Sequence, residues 1–348
     1  MSIKGRLGRL LGFLLTALFL WIVARNVSLS DLVSAFRDAD YRMVVPATLA
    51  TLTGYLLRTF RWQRIVRPVA ALRFGDAFSV LMMGFASNNL LPARLGEFVR
   101  AYLLGQKIGV RKTYGIATIL LERVCDGVTL IVFLGVVSLL WSLPGWGQEV
   151  QLVSSLLFVA AMLGILALLL QERLAVRALS LLLTPFPEEV TGSFLRATAS
   201  FITGLHSLKS RRSLVVVALV SVAVWLLEAT SYLLMCRAFG IWLSPVQQAL
   251  AAVFLLVVVN LGIMLPSVPG YVGAFQFFAV TALGAFSVPK ETALAVAISS
   301  HAMQYLLVTG IGLYFFAKGN VAFWRFEKAA SEGPEDEGEE VGLSAAPR

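Results

Sequence analysis

Long apolar runs alternate with short polar segments along most of this chain. A helix crosses the hydrocarbon core of a bilayer with about 20 predominantly apolar residues. The first apolar run follows three basic residues and is not succeeded by a good cleavage site, so we expect a retained anchor and not a cleaved signal peptide. We predict a full transmembrane helix in each of six runs: residues 8–24, 43–60, 113–141, 150–170, 213–239 and 291–317.

Two further apolar stretches, residues 76–105 and 245–286, are interrupted by Pro, Gly and, in the first, charged residues. Proline removes a backbone donor and disfavours helix at the residue before it, so each stretch should break into two helices. Non-helical backbone at membrane depth needs partners from protein or water. We therefore predict that each stretch folds as a re-entrant hairpin, which enters and leaves on one side of the membrane.

The two stretches share one order of features, which predicts an internal repeat. Each runs from an apolar helix through Asn, a Pro break and Gly into a second helix, a short loop and a long span. Three predicted spans separate them, so the hairpins should enter from opposite faces. That arrangement is typical of the inverted repeats of secondary transporters, whose site lies where the broken helices meet.

Composition excludes a soluble enzyme. Hydrophobic residues make up 58% of the 348 residues and charged residues 14%, whereas soluble domains carry about 25% charged residues. We predict an all-α polytopic membrane protein with about six full transmembrane helices and two re-entrant broken-helix hairpins in an inverted-repeat arrangement. Residues 1–318 form its membrane domain, and residues 319–348, rich in Glu and Gly, form a disordered acidic cytoplasmic tail.

Topology explains most of the net charge of +9, which comes from 29 basic and 20 acidic residues. Basic residues cluster at both ends, around the first hairpin and in residues 171–212, and the positive-inside rule makes these segments cytoplasmic. The cluster after the second span begins with Arg58 and Arg61. We expect a multi-pass protein of the cell inner membrane with both termini cytoplasmic. Three arginines remain at membrane depth: Arg94, Arg100 and Arg123.

Residues 171–212 leave two interpretations open. Leucine and phenylalanine are interleaved with basic residues there, which is typical of an amphipathic helix pair lying on anionic lipid. The alternative is a segment packed on its own helix bundle. Both interpretations place it on the cytoplasmic side.

The first hairpin contains the strongest candidate site. Arg94, Glu97 and Arg100 are three residues apart, so one carboxylate can lie between two guanidinium groups. The surplus positive charge beside a helix N-terminus favours an anion, and Arg suits a phosphate through its bidentate geometry. The alternative is an ion-paired clamp that only holds the hairpin shut. The candidate residues are Asn88, Asn89, Pro92, Arg94, Gly96, Glu97 and Arg100.

A second charged group lies in the third predicted span. Glu122 and Asp126 share one helix face, with Arg123 between them. They could counter a cationic headgroup or relay protons. The alternative makes them ion-pair partners of Arg94 or Arg100 across the bundle.

The remaining intramembrane candidates are one acidic residue and several neutral or weakly basic residues. Glu228 is either a coupling site or a neutral, hydrogen-bonded group. His301 and Gln304 either form interhelical hydrogen bonds or bind a ligand. The second hairpin would contribute exposed backbone groups and these candidate residues: Pro266, Pro269, Gly270, Gly273 and Gln276.

Three segments together resemble the lysylphosphatidylglycerol synthase transmembrane-region family of flippase-like membrane proteins. They are NNLLPARLGEFVRAYLLG at 88–105, LLERVCDG at 120–127, and LPSVPGYVGAFQFFAV at 265–280 with ALAVAISSHAMQY downstream. The resemblance covers residues 8–318 and implies that the polar residues of the first two segments handle lipid. Full-length synthases of that family add a soluble domain that transfers lysine from tRNA. We identify no such domain in this sequence, so the resemblance implies lipid translocation and not aminoacyl transfer.

These patterns predict a membrane lipid translocator that moves an anionic phospholipid or lipid-linked headgroup between leaflets. Arg94 and Arg100 would bind the phosphate, and Glu97 would hold them in position. An alternative is a membrane-embedded transferase component acting on aminoacyl- or glycosyl-lipids, with Glu122 or Asp126 as base and a separate subunit that supplies the donor. A third hypothesis is a non-catalytic membrane subunit.

The partners that we expect follow from the same patterns. They are membrane lipids, and we expect no nucleic acid and no cofactor, because the sequence has no Walker A, HExxH, nucleophile-elbow or Rossmann motif. The identity of the lipid and the oligomeric state are not readable from these residues.

The predicted topology has a direct test. A reporter inserted within residues 142–149 should be active only on the extracytoplasmic side, because the first hairpin returns to the side from which it came. A cytoplasmic signal from that position would contradict the re-entrant topology.

Overall fold

The protein is described by a computed structural model that covers residues 3–67, 71–91, 95–110, 112–153, 211–264 and 268–319, with seven isolated positions between 155 and 191. No strand occurs among these residues. Ten α-helices have both ends described: α1 (Ile3–Ala24), α2 (Leu29–Arg37), α3 (Val44–Val66), α4 (Phe74–Leu90), α5 (Gly96–Ile108), α6 (Lys112–Leu140), α7 (Arg211–Ala238), α8 (Pro245–Gly262), α9 (Ala274–Gly284) and α10 (Lys290–Lys318).

Several of these helices are long and apolar enough to cross a membrane. Among the described residues, α6, α7, α8 and α10 satisfy this requirement, and α1 with α2 adds a fifth span if this pair, bent by 85°, is counted as one. Large apolar side chains such as Leu139, Leu219 and Leu306 are exposed on their surfaces, where lipid can cover them. The prediction of an all-α polytopic membrane protein is confirmed.

The predicted spans correspond to described helices in five of six cases: α1, α3, α6, α7 and α10. The sixth predicted span, 150–170, lies mostly outside the described residues, as do the segment 171–212 and the tail 319–348. Helix α3 ends at Val66 and not at residue 60, and its three arginines, Arg58, Arg61 and Arg64, lower its hydropathy. Helix α2 was not predicted, because its nine residues are too few for a span.

Both interrupted stretches form pairs of packed helices. Helix α4 packs against α5, and α8 packs against α9. In the first pair the contact is made by glycine, because a Cβ at Gly96 would lie 2.0 Å from the carbonyl oxygen of Gly84. In the second pair, Gly262 lies directly against the ring of Phe278. The two predicted helix breaks are therefore present, and each pair is a hairpin.

The internal repeat extends over four helices on each side. Within α3–α6, consecutive helices pack together and α3 also contacts α6; within α7–α10, the same pairs of helices meet. The crossed contacts recur as well, since α4 packs on α10 and α8 packs on α6. Helices α3 and α7 run antiparallel along one another, with Thr51 bonded to Ser231 and Arg61 bonded to Ser221. An antiparallel central pair makes the repeat inverted, as the sequence predicted.

The close packing of α4 on α5 can be tested with Gly96→Ala. The added methyl group would overlap the backbone of α4, so we expect a loss of about 1–3 kcal/mol in stability. Gly135→Ala in α6 is the matched control, because a Cβ there meets nothing within 4 Å and alanine favours helix. Thermal unfolding in detergent measures both variants. Equal midpoints for the two would contradict the packing.

Candidate functional site

Eight ionisable side chains from four helices, α3, α5, α6 and α7, come together, and we call them the charged cluster. Four are arginines and four are carboxylates, so the cluster is neutral as a set. Its members are Arg58, Arg61, Glu97, Arg100, Glu122, Arg123, Asp126 and Glu228.

Arg61 occupies the centre of the charged cluster and is fully buried. Its Nη1 donates to Asp126 Oδ1 at 2.7 Å and to Ser221 Oγ at 2.8 Å. Its Nη2 donates to Glu122 Oε1 at 3.1 Å, and the other oxygen of Glu122 accepts from Arg100 Nη2 at 2.5 Å. These bonds join helices α3, α5, α6 and α7. A buried charge is tolerated only when it is paired and hydrogen-bonded, and here each partner fulfils that condition for the other.

Aromatic rings cover the guanidinium groups on their remaining faces. Arg100 lies over the ring of Trp62, with its Cζ 4.0 Å from the ring centroid. Arg58, whose Nη2 donates to Glu228 at 2.5 Å, lies 5.0 Å from the ring of Trp225. The rings exclude water and supply cation–π attraction, which increases when the cation is desolvated.

Two sequence-based assignments of arginines were wrong. Arg58 and Arg61 were placed in a cytoplasmic loop, but they lie inside α3 because that helix continues past residue 60. The signal that could have found them was the surplus of carboxylates in the spans: Glu228 was treated as unpaired, yet it binds Arg58.

The pairing within the first hairpin also differs from the prediction. Arg100 pairs with Glu122 and not with Glu97, because its side chain points across the bundle toward α6. Glu97 instead faces Arg123, with Oε1 3.5 Å from Nε. The alternative interpretation of Glu122 as an ion-pair partner of Arg100 is confirmed. Arg94, like Pro92 and Pro266, lies outside the described residues.

Arg123 differs from the other arginines of the charged cluster. Its side chain is 39% exposed, and its two carboxylate partners, Glu97 and Asp126, lie 3.5 and 3.6 Å away. Those distances are too long for hydrogen bonds. The ring of Phe85 lies 5.9 Å from its Cζ. Arg123 is therefore a partly accessible and loosely paired cation.

The second repeat carries a neutral counterpart of this arrangement. Helices α6 and α10 are both 29 residues long. When their first residues, Lys112 and Lys290, are aligned, the three charged residues Glu122, Arg123 and Asp126 correspond to three neutral or weakly basic residues of α10. Tyr232 of α7 lies beside the third of them, as Arg61 of α3 lies beside Asp126. The three positions are Ser300, His301 and Gln304.

His301 is part of a hydrogen-bonded chain that reaches the second break. Gln276 Oε1 accepts from the backbone N–H of Gly273 at 2.8 Å, and its Nε2 lies 3.0 Å from His301 Nδ1. The His301 ring also bonds the backbone of Gly270 and stacks on Phe275 with a centroid distance of 4.5 Å. The predicted interhelical hydrogen bond of His301 is confirmed. Gln304 Nε2 and Ser300 Oγ have no partner among the described residues.

The two helix breaks meet. A Cβ at Gly270 would lie 3.4 Å from the carbonyl oxygen of Asn89, so the turn that begins at Pro269 touches the end of α4. Gly270 and Gly273 have φ values of 75° and 84°, which glycine adopts without steric cost. On the first side, Asn88 Oδ1 accepts from the backbone N–H of Gly96 at 2.8 Å and thereby bridges the break.

The amide of Asn89 is used in a different way. Its Nδ2 donates to Thr309 Oγ1 at 3.0 Å, which ties the end of α4 to α10. The two asparagines therefore stabilise the break on one side and the contact between repeats on the other. No group of His, Cys, Asp and Glu among the described residues has a geometry that could hold a metal ion.

Comparison with known proteins gives one family and several relatives. Residues 9–312 match the family described as lysylphosphatidylglycerol synthase TM region. Glycosyltransferase AglD of Haloferax volcanii is 25% identical over 86% of this chain, which spans only 53% of AglD. UPF0104 membrane proteins of Methanothermobacter thermautotrophicus and Methanocaldococcus jannaschii are 24% and 20% identical, and the alignments cover 95% and 91% of their lengths.

The central role of Arg61 can be tested with Arg61→Gln. The substitution leaves two buried carboxylates without their shared cation, so we expect a loss of about 3–5 kcal/mol in stability. Arg64→Gln, one helical turn further on an exposed position, should change stability by less than about 0.5 kcal/mol. Thermal unfolding in detergent compares the two. A wild-type midpoint for Arg61→Gln would refute the central role.

Proposed function

The chain belongs to the lysylphosphatidylglycerol synthase transmembrane-region family, and we propose that it is a flippase-like protein that moves an anionic phospholipid or lipid-linked headgroup between leaflets. The observation that carries this proposal is the position of Arg123. It is the accessible, incompletely paired arginine of a cluster that lies within an inverted repeat whose two helix breaks touch.

Arg123 is the side chain best placed to bind a phosphate. A guanidinium group donates to phosphate in bidentate fashion, and the Arg123 side chain is 39% exposed with both carboxylate contacts longer than a hydrogen bond. Arg100 is 3% exposed and already bound to Glu122, so it supports the site and does not reach the lipid. We propose Arg94 as a second phosphate ligand, because its position in the sequence is beside the helix break.

Glu97 favours the release of a phosphate bound to Arg123. Its carboxylate is 38% exposed and lies 3.5 Å from Arg123, so it competes with a bound phosphate for the same cation. Because the arginine then exchanges one anion for another, the bound state is only slightly favoured. A transporter requires such balance, since a tightly held headgroup would not leave on the opposite side.

The headgroup path would run between the two breaks. On the first side it passes the end of α4 and the start of α5, and on the second side it passes the turn at 268–273, while acyl chains stay in the bilayer. In an inverted repeat the two halves can exchange roles, which opens the site to each leaflet in turn. The candidate path residues are Asn88, Asn89, Pro92, Gly96, Pro266, Pro269, Gly270, Gly273, Gln276, His301 and Gln304.

The charge pattern of the sequence supports a location and an orientation. With Arg58 and Arg61 removed from the count, most basic residues still belong to segments that the pattern makes cytoplasmic. We propose that both termini are cytoplasmic and that the membrane is the cell inner membrane.

Arg123→Gln should slow headgroup flipping in proteoliposomes by about tenfold or more, because a charge-assisted hydrogen bond to phosphate contributes about 1.5–3 kcal/mol. Stability should change by less than about 1 kcal/mol, since the arginine is partly exposed and its pairs are long. The control is Arg42→Gln, which removes an exposed arginine far from the site. Flipping at the wild-type rate by a variant lacking both Arg94 and Arg123 would exclude this mechanism and favour a non-catalytic subunit.

A transferase component is the second candidate function, and the similarity to glycosyltransferase AglD favours it. A transferase would use Glu122 or Asp126 as base. Both carboxylates, however, already accept hydrogen bonds from Arg61, and Glu122 also accepts one from Arg100. A base must be free to take a proton, so the geometry favours translocation. Headgroup transfer that stops in Asp126→Asn while flipping continues would support the transferase.

A further inference from the structure

A second basic site lies outside the charged cluster, at the C-terminal end of α3. A cavity of about 220 Å³ opens there between the last two turns of the helix and the segment that leads into α4. Its walls are Phe60, Gln63, Arg64, Arg67, Ala71 and Leu72. No residue of the translocation path lines it.

The cavity has a rigid floor. Gln63 Nε2 donates to the carbonyl oxygen of Leu72 at 2.6 Å, which ties the returning chain to α3. Leu72 is itself buried in a core cluster with Trp62 and Val66. Packing and this hydrogen bond therefore hold the floor of the cavity in place, while the side chains of Arg64 and Arg67 complete its walls.

The arginines of the cavity are not neutralised. Arg64 and Arg67 are exposed, and neither has a carboxylate within 4.0 Å among the described residues. The Cζ of Arg64 lies 4.8 Å from the ring centroid of Phe60, which holds the guanidinium group at the rim. Proximity to the carbonyl end of α3 stabilises these cations by at most about 1 kcal/mol at an exposed position, so both remain available to an external anion.

The surface next to the cavity is suited to an acyl chain. Leu49, Leu56 and Phe60 recur at the spacing of one helix face that leads toward Arg64 and Arg67, and both leucines are exposed. An apolar stripe that ends in two arginines matches an amphiphile with an anionic head. The cavity is smaller than the roughly 300–1,000 Å³ typical of sites that enclose a whole ligand, so it can take a headgroup but not the chains.

We propose that this cavity binds the phosphate of an anionic phospholipid at the membrane surface, with Arg64 and Arg67 as its ligands. The occupant is a resident lipid of the bilayer, held by its headgroup while its chains lie along α3. Because α3 also carries Arg58 and Arg61, a lipid bound here contacts the same helix that anchors the charged cluster. This site goes beyond the translocation path and does not depend on it.

Lipid binding by the purified protein tests the proposal. In an Arg123→Gln background, which removes the proposed translocation ligand, titration with short-chain phosphatidylglycerol should give about 30-fold weaker binding when Arg64→Gln and Arg67→Gln are added, since each surface arginine contributes about 1 kcal/mol. The control adds Arg37→Gln and Arg42→Gln to the same background, which removes two exposed arginines elsewhere and should leave binding unchanged.

Two further binding measurements distinguish a specific phosphate site from nonspecific electrostatic attraction. The Arg64→Lys, Arg67→Lys double variant keeps the charge but loses the bidentate geometry, so binding should also weaken. Unchanged binding would show that the attraction is diffuse and that no specific site exists. Glycerol phosphate without chains should bind far more weakly than the lipid, and equal binding would overturn the assignment to a lipid. An affinity for phosphatidylglycerol that Arg64→Gln and Arg67→Gln leave unchanged in the Arg123→Gln background would overturn the proposal outright.

Discussion

The bond network of one arginine constrains the whole helix arrangement. Arg61 is fully buried and is enclosed by two carboxylates of α6 and a serine of α7. Removing a partner from a buried pair leaves an uncompensated charge, which costs far more than the pair itself contributes. Helices α3, α6 and α7 must therefore keep their register, and α5 is joined to them through Arg100. Within the charged cluster, Arg58, Arg61 and Arg100 are held by close ion pairs, and Arg123 is the exception.

The exception follows from the way the two repeats differ. The first half is held by ion pairs at distances of 2.5–3.1 Å, and Arg123 lies at the edge of that network with looser contacts. The second half has neutral groups at the corresponding positions, and they are joined by hydrogen bonds through Gln276 and His301. Neutral hydrogen bonds can exchange partners with less cost than buried charges can. The two repeats are thus held by different kinds of interaction, although they share one arrangement of helix contacts.

Much of this architecture could be predicted from the sequence, and the failures have a common physical cause. Apolar runs and the Pro and Gly breaks identified five of the described helices and both helix breaks, because hydropathy and backbone chemistry are local properties. Arg58 and Arg61 were misplaced because their burial depends on carboxylates that are 61 to 170 residues away in the chain. The same limit explains why Arg100 was assigned to Glu97, three residues away, and not to Glu122. Hydropathy shows where a charge is unfavourable, but only the folded structure shows which charge compensates it.

The long sequence separation within the charged cluster also matters for the order in which the protein is made. Helix α3 carries two arginines at membrane depth, and its partners Glu122, Asp126 and Glu228 are synthesised later. A single arginine at the centre of an inserting helix costs about 2.5–3.5 kcal/mol. The emerging α3 is therefore a poor candidate for independent entry into the bilayer. It should remain beside the insertion machinery or at the lipid surface until α6 and α7 arrive, so that the neutralising partners enter together. Membrane integration of this chain is then a cooperative event that spans both repeats, and not a sequence of separate helix insertions.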